Sequence, residues 1–357
     1  MIRVLVAEDS ATARALLVSM LSAESGITVV GEARTGTEAV EMAERLAPDL
    51  VTMDVHMPEL DGIGATKQIM TRSPRPILIV SSAAGTDVEL SLEATRSGAL
   101  MVIAKPQGPH SAGHESERRQ LVSMVRALAH VKVVRRHGSM PTSAAPAPAP
   151  AASFPPPAQS PLPAPGLVPD VLAIAASTGG PAALRSILAA LPERFPIPVL
   201  VVQHIAKGFT SGLAHWLGGA CSLRIKLAEL GEPARPGVVY LTPDDRHLGI
   251  RRDGARTLRI HLDAGAPVGT FRPSASYLFQ SCAEVAGRNV LALILTGMGD
   301  DGVDGLRHVH RAGGRVLAQN EASSVIFGMP REAQRAGVVD QVIALDDIAK
   351  RLGELSS

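Results

Sequence analysis

The stretch VLAIAASTGGP, residues 171–181, runs from small aliphatic residues into a Ser-Thr pair, two glycines and a proline. The aliphatic run predicts a buried strand, and the glycines followed by Pro181 predict a turn into a helix, because proline suits the first helical turn. A strand that leads directly into a helix is the repeating unit of an α/β fold. Functional side chains in such folds gather beyond the carboxyl ends of the strands, so we expect Ser177 at a functional edge.

The chain on the C-terminal side of this stretch repeats the strand-helix alternation. Further strands are predicted at IPVLVVQH, GVVYLTP, LRIHL, NVLALILTG and GRVLAQN. Residues 223–275 combine short strands with many Gly and Pro turns, which is typical of antiparallel strands inserted into or flanking an α/β sheet. We therefore expect residues 170–357 to form a doubly wound, mostly parallel α/β domain with some antiparallel strands.

The N-terminal region contains five further strand-helix units, with strands predicted at IRVLVA, ITVVGEA, DLVTM, PILIVSS and ALMVIAKP. Strands separated by helices indicate a parallel sheet with right-handed crossovers, which predicts a doubly wound, five-stranded domain over residues 1–136. Residues 137–169 consist largely of Pro, Ala and Ser and cannot form a packed core. They are predicted to be a semi-extended linker between the two domains.

The overall composition limits the classes of function. The chain of 357 residues has a formal net charge of +1, which supplies no general attraction for nucleic acid. Its 2 cysteines exclude a disulfide framework and favour a reducing compartment. The first residues lack a secretory signal, and no apolar run approaches the roughly 20 residues of a membrane-spanning helix. We expect a cytoplasmic protein with no nucleic-acid partner and no membrane insertion.

Polar side chains follow the strands of the predicted N-terminal sheet. Glu8 and Asp9 follow the first strand, Asp54 ends the third, Ser81 ends the fourth and Lys105 directly follows the fifth. Clustered carboxylates are ligands that suit Mg²⁺, and Asp54 could accept a phosphoryl group while the metal and Lys105 neutralise its charge. The alternative is that these residues are helix caps or solvated loop residues, which are common at strand ends.

Ser177 has three interpretations: a nucleophile, part of a phosphate-binding loop, or a cap of the following helix. The STGGP stretch matches neither phosphate-binding glycine pattern, no lysine follows it, and Pro181 removes one N–H donor. Phosphate binding is therefore disfavoured. Helix capping stays open, because serine is among the common residues at that position.

A serine nucleophile requires a base and an orienting acid on neighbouring strand ends. His204 follows one predicted strand, and Asp300 and Asp301 follow another. Together with Ser177 these residues would form a Ser-His-Asp triad, in which histidine takes the hydroxyl proton and aspartate orients the histidine. His247 is a competing base, and spacing alone does not choose between the two aspartates.

The N-terminal motifs VLVAEDS, LVTMDVHMPELDG, ILIVSS and VIAKP resemble those of response-regulator receiver domains, over about residues 2–135. The resemblance implies that Asp54 is the phosphoacceptor and that a histidine kinase is the phosphodonor. It also implies that Ser81 and Lys105 act in phosphoryl signalling. It also implies an Mg²⁺ site composed of Glu8 through water, Asp9, Asp54 and the backbone carbonyl of His56.

The C-terminal motifs AIAASTGGP, VVQHIAKGFTSGLAHWL, FRPSASYLF and LTGMGDDGVDGL resemble the catalytic domain of the chemotaxis protein-glutamate methylesterase family, CheB, over about residues 170–352. The resemblance implies that the domain is hydrolytic, with Ser177 as nucleophile and His204 as base. It further implies Asp301 as orienting acid, the Met298 N–H as oxyanion donor and Thr178 as a residue that shapes the site. Asp300 is then expected to face solvent.

This resemblance implies a phosphorylation-activated hydrolase that removes γ-methyl esters from glutamates of methyl-accepting chemotaxis receptors and deamidates selected glutamines. Mg²⁺ would be needed in the receiver domain and no cofactor in the catalytic domain. The receiver would cover the active site until Asp54 is phosphorylated. The alternatives are a docking module without esterase activity, a methylesterase of a non-flagellar chemosensory pathway and, least favoured, a transcriptional response regulator.

Overall fold

The structure is a computed structural model that describes residues 1–81, 86–108, 111, 113–131, 133, 168–254 and 257–356. Apart from Val168 and Pro169, the predicted linker of residues 137–169 lies outside the described residues. Among the residues that are described, no helix combines the length and the apolar character that crossing a membrane requires.

The N-terminal domain is a five-stranded parallel sheet with helices on both faces. Its elements are β1 (Ile2–Ala7), α1 (Ala11–Ser22), β2 (Ile27–Ala33), α2 (Gly36–Leu46), β3 (Leu50–Met53), α3 (Gly62–Arg72), β4 (Ile77–Ser81), α4 (Thr86–Arg96), β5 (Met101–Ala104) and α5 (His114–Leu128). The strand order is β2-β1-β3-β4-β5, and every neighbouring pair is parallel. The predicted doubly wound, five-stranded domain is confirmed.

Local sequence explains where the helices of this domain begin. The side chains of Ser10, Thr35 and Asp61 each accept a hydrogen bond from a backbone N–H in the first turn of α1, α2 and α3, respectively. At α2 the Glu38 carboxylate also accepts from the Arg34 N–H at 2.7 Å, close to the reciprocal pattern of a capping box. Helices α1 and α2 start within four residues of the preceding strand, whereas a longer loop separates β3 from α3.

The C-terminal domain is built around a seven-stranded, wholly parallel sheet in the order β14-β13-β12-β6-β7-β9-β8. Its elements are β6 (Val171–Ala176), α6 (Gly180–Ala189), β7 (Val199–Gln203), α7 (Thr210–Gly218), β8 (Arg224–Leu227), β9 (Val238–Leu241), β10 (His247–Arg252), β11 (Leu258–Asp263), α8 (Ala275–Ala286), β12 (Val290–Ile294), α9 (Val303–Arg311), β13 (Arg315–Gln319), α10 (Met329–Arg335), β14 (Gln341–Ile343) and α11 (Leu345–Gly353). The predicted mostly parallel α/β class is confirmed.

Strand β6 lies at the centre of this sheet and is buried on both faces. Leu172 and Ile174 belong to a core with α6, whereas Ala173 and Ala175 belong to a second core with α8. A parallel sheet covered on both faces requires nearly continuous apolar strands, which explains the uninterrupted run VLAIAA. Ser177 is the first residue after this apolar run and therefore lies at the carboxyl end of the strand.

The strands between residues 223 and 275 differ in part from the prediction. The strands β10 and β11 pair antiparallel, as expected, in a separate two-stranded sheet. In contrast, β8 and β9 are parallel to each other and extend the edge of the main sheet. The connection through residues 228–237 is long enough to return the chain to the same end of the sheet, which a parallel pair needs and a hairpin does not.

Candidate active site and phosphorylation site

Ser177 directly follows β6, where its N–H donates to the Thr296 carbonyl oxygen at 3.0 Å. The following Gly179 has φ +78°, a conformation that favours glycine, and it is the residue that precedes α6. No side chain caps this helix, so the structure gives no support to Ser177 as a helix cap. Ser177 is buried except for 8% of its surface, at an edge where other strand ends converge.

His204 follows β7, the strand next to β6, and its N–H donates to the Ala176 carbonyl oxygen at 2.9 Å. Its Nε2 lies 2.9 Å from Oδ2 of Asp301, which follows β12 on the other side of β6. The imidazole stacks on Phe271, with ring centroids 4.5 Å apart and planes 13° apart. The opposite nitrogen, Nδ1, is buried and has no hydrogen-bond partner in the part of the chain that the structure describes.

Asp301 is held as an ionised acceptor at the N-terminus of α8. Its carboxylate accepts hydrogen bonds from the Ser274 hydroxyl at 2.8 Å, the Ala275 N–H at 2.7 Å and the Ser276 N–H at 3.0 Å. Burial would raise the pKa of the Asp301 carboxyl, but the hydrogen bond and charge of His204 and the two amides lower this pKa to about 2. The carboxylate can therefore fix the histidine ring and stabilise its protonated form.

The three sequence-predicted triad residues thus follow three neighbouring strands at one sheet edge. The structure joins His204 to Asp301, but among the described residues no hydrogen bond joins the Ser177 hydroxyl to either of them. Catalytic hydrogen bonds are often absent before substrate is bound, so this geometry is compatible with proton transfer from Ser177. Asp300 is exposed, whereas Asp301 is buried, which separates the two aspartates that spacing could not.

The competing base, His247, lies at the start of β10, outside the main sheet. Its Nε2 is 3.1 Å from the Ala266 carbonyl oxygen, and its ring stacks on Tyr277 with centroids 4.7 Å apart. This histidine therefore packs beneath the segment that leads to Phe271. The geometry favours a structural role for it.

Met298 and Thr178 lie beside Ser177 on the loops of the same edge. Within the described residues, the Met298 N–H makes no hydrogen bond. The Thr178 carbonyl accepts from the Thr296 hydroxyl at 2.9 Å, which fixes the loop after β6. The Thr178 hydroxyl lies 3.3 Å from the sulfur of Met101 in the N-terminal domain.

The N-terminal domain covers this edge. A narrow cavity lies between Ser177 and His204 on one side and a receiver surface on the other, formed by Leu92, Thr95, Leu100, Met101 and Val102. Its volume is about 10 Å³, close to the minimum that a single water molecule needs. A cavity of this size has no room for an amino-acid side chain.

A second polar cluster lies at the carboxyl edge of the N-terminal sheet. Ligand atoms of Glu8, Asp9 and Asp54 lie within 4.8 Å of one another. The Lys105 ammonium lies 2.8 Å from an Asp54 oxygen and 3.0 Å from a Glu8 oxygen. Ser81 is fully buried nearby in β4, and its hydroxyl has no partner in the described structure.

The electrostatics of this cluster suit a divalent cation. Burial raises the pKa of Asp54, and Asp9 acts in the same direction, against Lys105 and the Val55 N–H. Burial and the charge of Asp54 likewise raise the pKa of Glu8. Crowded, partly desolvated carboxylate oxygens form the hard donor set that Mg²⁺ prefers, so the residues fit this metal. His56 lies two residues beyond Asp54 and is exposed, and the role of its carbonyl stays a prediction.

Three functional contacts were not anticipated from the sequence. Phe271 stacks on His204, Ser274 bonds Asp301, and Gln203 bonds the backbone of Ser177. Ser274 carried a detectable signal, because a serine before the apolar run of α8 is a typical N-cap. No local pattern indicates the other two, since both contacts depend on how distant loops meet.

The chain matches two family models: CheB methylesterase over residues 172–352 and response regulator receiver domain over residues 4–112. It is 52% identical over 351 residues to protein-glutamate methylesterase/protein-glutamine glutaminase 4 of Myxococcus xanthus, covering 98% of this chain and 96% of that one. It is 50% identical to protein-glutamate methylesterase/protein-glutamine glutaminase 3 of Anaeromyxobacter dehalogenans, covering 99% and 98%, respectively.

The fold also matches a solved structure. The CheB methylesterase catalytic domain of Thermotoga maritima superposes with a TM-score of 0.51 and 38% identity. The match covers 52% of this chain and 98% of the Thermotoga chain.

Proposed function

The chain belongs to the CheB methylesterase family and carries a response regulator receiver domain, and on this premise we propose that it is a phosphorylation-activated methylesterase of chemoreceptors. Its substrates are γ-methyl esters of receptor glutamates, and it also deamidates selected glutamines. The observation that carries this proposal is the partly buried His204–Asp301 pair at 2.9 Å, at the sheet edge beside Ser177. The proposed domains are residues 1–136, a linker of residues 137–169 and residues 170–357.

In the first step the Ser177 hydroxyl oxygen attacks the ester carbonyl carbon while His204 takes the hydroxyl proton on Nδ1. The carbonyl oxygen becomes an oxyanion and accepts a hydrogen bond from the Met298 N–H, with Thr178 shaping the pocket. The tetrahedral intermediate then collapses. The methoxy group leaves as methanol with the proton from His204, and an acyl-enzyme remains on Ser177.

In the second step a water molecule attacks the acyl carbon while His204 takes its proton. The Ser177 oxygen leaves, recovers a proton from His204, and the glutamate carboxyl is released. Asp301 stabilises the imidazolium in both steps because its low pKa keeps it ionised. A glutamine follows the same course, with ammonia as the leaving group in place of methanol.

The receiver domain controls access to this site. Asp54 accepts a phosphoryl group from a histidine kinase, and Lys105 and the Ser81 hydroxyl contact the transferred phosphoryl oxygens. Glu8, Asp9, Asp54 and the His56 carbonyl would hold Mg²⁺, which neutralises phosphoryl charge when bound. Phosphorylation adds negative charge at a buried position, which favours a receiver arrangement that no longer covers Ser177.

The proposed setting is the cytoplasm, where the enzyme acts on the cytoplasmic part of the receptors without inserting into the membrane or binding nucleic acid. Flagellar and non-flagellar chemosensory pathways use the same chemistry. A deletion strain scored for swimming and for surface behaviour shows which of the two pathways this enzyme serves.

Methanol release from methylated receptor membranes tests this proposal. We expect release by the full chain to rise with Mg²⁺ and acetyl phosphate and to fall by at least about 10³-fold in Ser177→Ala. Methanol release that is unaffected by acetyl phosphate would contradict the proposal that phosphorylation activates the enzyme. Receptor binding without methanol release would instead support a docking module.

A further inference from the structure

Gln203 is the last residue of β7 and is only 5% exposed. Its side-chain amide nitrogen lies 2.8 Å from the Ser177 carbonyl oxygen and 2.8 Å from the His204 carbonyl oxygen. Carbonyl oxygens only accept hydrogen bonds, so the end of the amide that faces both of them must be the NH₂ group. Each of its two hydrogens therefore binds one of the two residues that are proposed to exchange the catalytic proton.

The glycine pair after Ser177 makes this contact possible. A Cβ atom at Gly180 would overlap Oε1 of Gln203, so only glycine leaves room for the side chain. The Gly180 N–H also donates to the Ser177 carbonyl oxygen at 2.8 Å, so this oxygen accepts two hydrogen bonds. The backbone of the loop after β6 is therefore bonded to the end of the neighbouring strand β7.

Gln203 is not simply a well-satisfied core residue. Its Oε1 is buried without a hydrogen-bond partner in the part of the chain that the structure describes. A buried acceptor without a partner destabilises a fold, and an apolar side chain of similar size would fill the same space. We therefore attribute the role of this side chain to the two hydrogen bonds that its NH₂ group donates to the carbonyl oxygens of Ser177 and His204.

We propose that Gln203 is a positioning residue for the reaction. By binding both carbonyl groups it fixes the backbone of Ser177 relative to that of His204, and thereby the distance between the nucleophile and its base. Catalysis is sensitive to such distances, because a displacement of about 1 Å costs on the order of 10²-fold in rate. This inference rests on the proposed function of the same site.

The test uses the full chain with Mg²⁺ and acetyl phosphate and compares Gln203→Met with Gln280→Met. Methionine matches glutamine in length but donates no hydrogen bond. Gln280 is exposed on α8, where its amide donates a hydrogen bond to Glu284 at 2.8 Å, so its variant controls for the substitution itself. We expect Gln203→Met to lower kcat by about 10²-fold with KM nearly unchanged, and Gln280→Met to retain wild-type kcat.

A second variant, Gln203→Glu, tests the donor directly and covers the case in which Gln203→Met does not fold. Its buried carboxyl can donate one hydrogen bond when protonated and none when ionised. We expect the ratio of its kcat to that of wild type to fall as pH rises, while the ratio for Gln280→Glu stays constant. A pH-independent ratio close to one for Gln203→Glu would overturn the inference.

A second measurement, the rate at which a fluorophosphonate labels Ser177, tests the role of Gln203 without using the proposed substrate. If wild type labels at Ser177 but releases no methanol, the proposed substrate is wrong, and the labelling rates of the variants still test Gln203. We expect Gln203→Met to label about 10²-fold more slowly than wild type. Equal labelling rates in folded variants would overturn the inference.

Discussion

Asp301 illustrates how neighbouring groups determine the role of a single side chain. Asp300, the preceding residue, has the same carboxyl group but faces solvent. Asp301 accepts four hydrogen bonds, from His204 and from three groups at the start of α8. These donors lower its pKa to about 2 against the opposing effect of burial. A carboxylate that stays ionised in a buried site can orient histidine through the whole reaction.

Replacing Asp301 with asparagine should therefore leave binding largely intact and impair the chemical step. The amide cannot stabilise the imidazolium and can favour the wrong histidine tautomer, so we expect kcat to fall by about 10⁴-fold. Methanol release at saturating methylated receptor measures this. Asp300→Asn is the matched control. A similar loss in both variants would contradict the assignment of the acid.

The low pKa of Asp301 also predicts how stability depends on pH. Because its pKa is depressed on folding, from 3.8 to about 2, its contribution is fully present above pH 3.8 and is lost as pH falls towards 2. The contribution is about 2 kcal/mol at neutral pH. Urea unfolding of wild type and Asp301→Asn should show a free-energy difference that shrinks between pH 4 and pH 2. A constant difference would contradict this prediction.

At the scale of elements, helix α8 connects stability to the active site. Ser274 caps this helix by accepting from the Tyr277 N–H at 3.3 Å, and its hydroxyl also donates to Asp301. The same residue therefore caps the helix and donates a hydrogen bond to Asp301. Phe271, a few residues earlier, stacks on the histidine.

Ser274→Ala should lower the free energy of unfolding by about 1 kcal/mol and also reduce kcat, because it removes a cap and a donor to Asp301. The control is Thr35→Ala, which removes the equivalent cap of α2 far from the site. We expect Thr35→Ala to lose similar stability and retain kcat. Urea denaturation and methanol release together measure both effects. Retention of kcat in Ser274→Ala would show that the bond to Asp301 does not affect the reaction.

At the scale of the whole molecule, strand β5 of the receiver packs against the sheet edge that carries Ser177. Met101 lines the narrow cavity opposite Ser177 and lies against Thr178. Four of the five receiver residues that line the cavity are apolar, so a charge at Met101 should weaken this contact without altering Ser177, His204 or Asp301.

Met101→Arg should raise methanol release in the absence of acetyl phosphate by about tenfold, equivalent to destabilising the covered state by about 1.4 kcal/mol. The matched control is Leu230→Arg, because Leu230 is 69% exposed and does not line the cavity. Unchanged basal release in Met101→Arg, with the receiver still folded, would contradict the proposed covering role.

Much of the fold was predictable from the sequence because the relevant signals are local. Continuous aliphatic runs followed by helical patterns predicted the strands of both parallel sheets, and strand ends indicated where Ser177, His204 and Asp54 would lie. Strand β8 was not predicted, and the antiparallel arrangement expected over residues 223–275 holds for β10 and β11 but not for β8 and β9, because pairing direction depends on the path of the connection rather than on strand composition. The short strand β14 was not predicted.

The sequence by itself determined the two α/β domains, the edges that carry chemistry and, through its motifs, the family. The family resemblance already implied that Asp300 faces solvent and that the receiver covers the serine. Only the tertiary structure showed that Asp301 accepts four hydrogen bonds, that Gln203 binds the backbone carbonyls of Ser177 and His204, and that Met101 lies against Thr178. The physical reason is the separation along the chain of the residues that interact. Periodicity and capping act between residues close in the chain, whereas burial, hydrogen bonding between loops and domain packing depend on residues that only folding brings together.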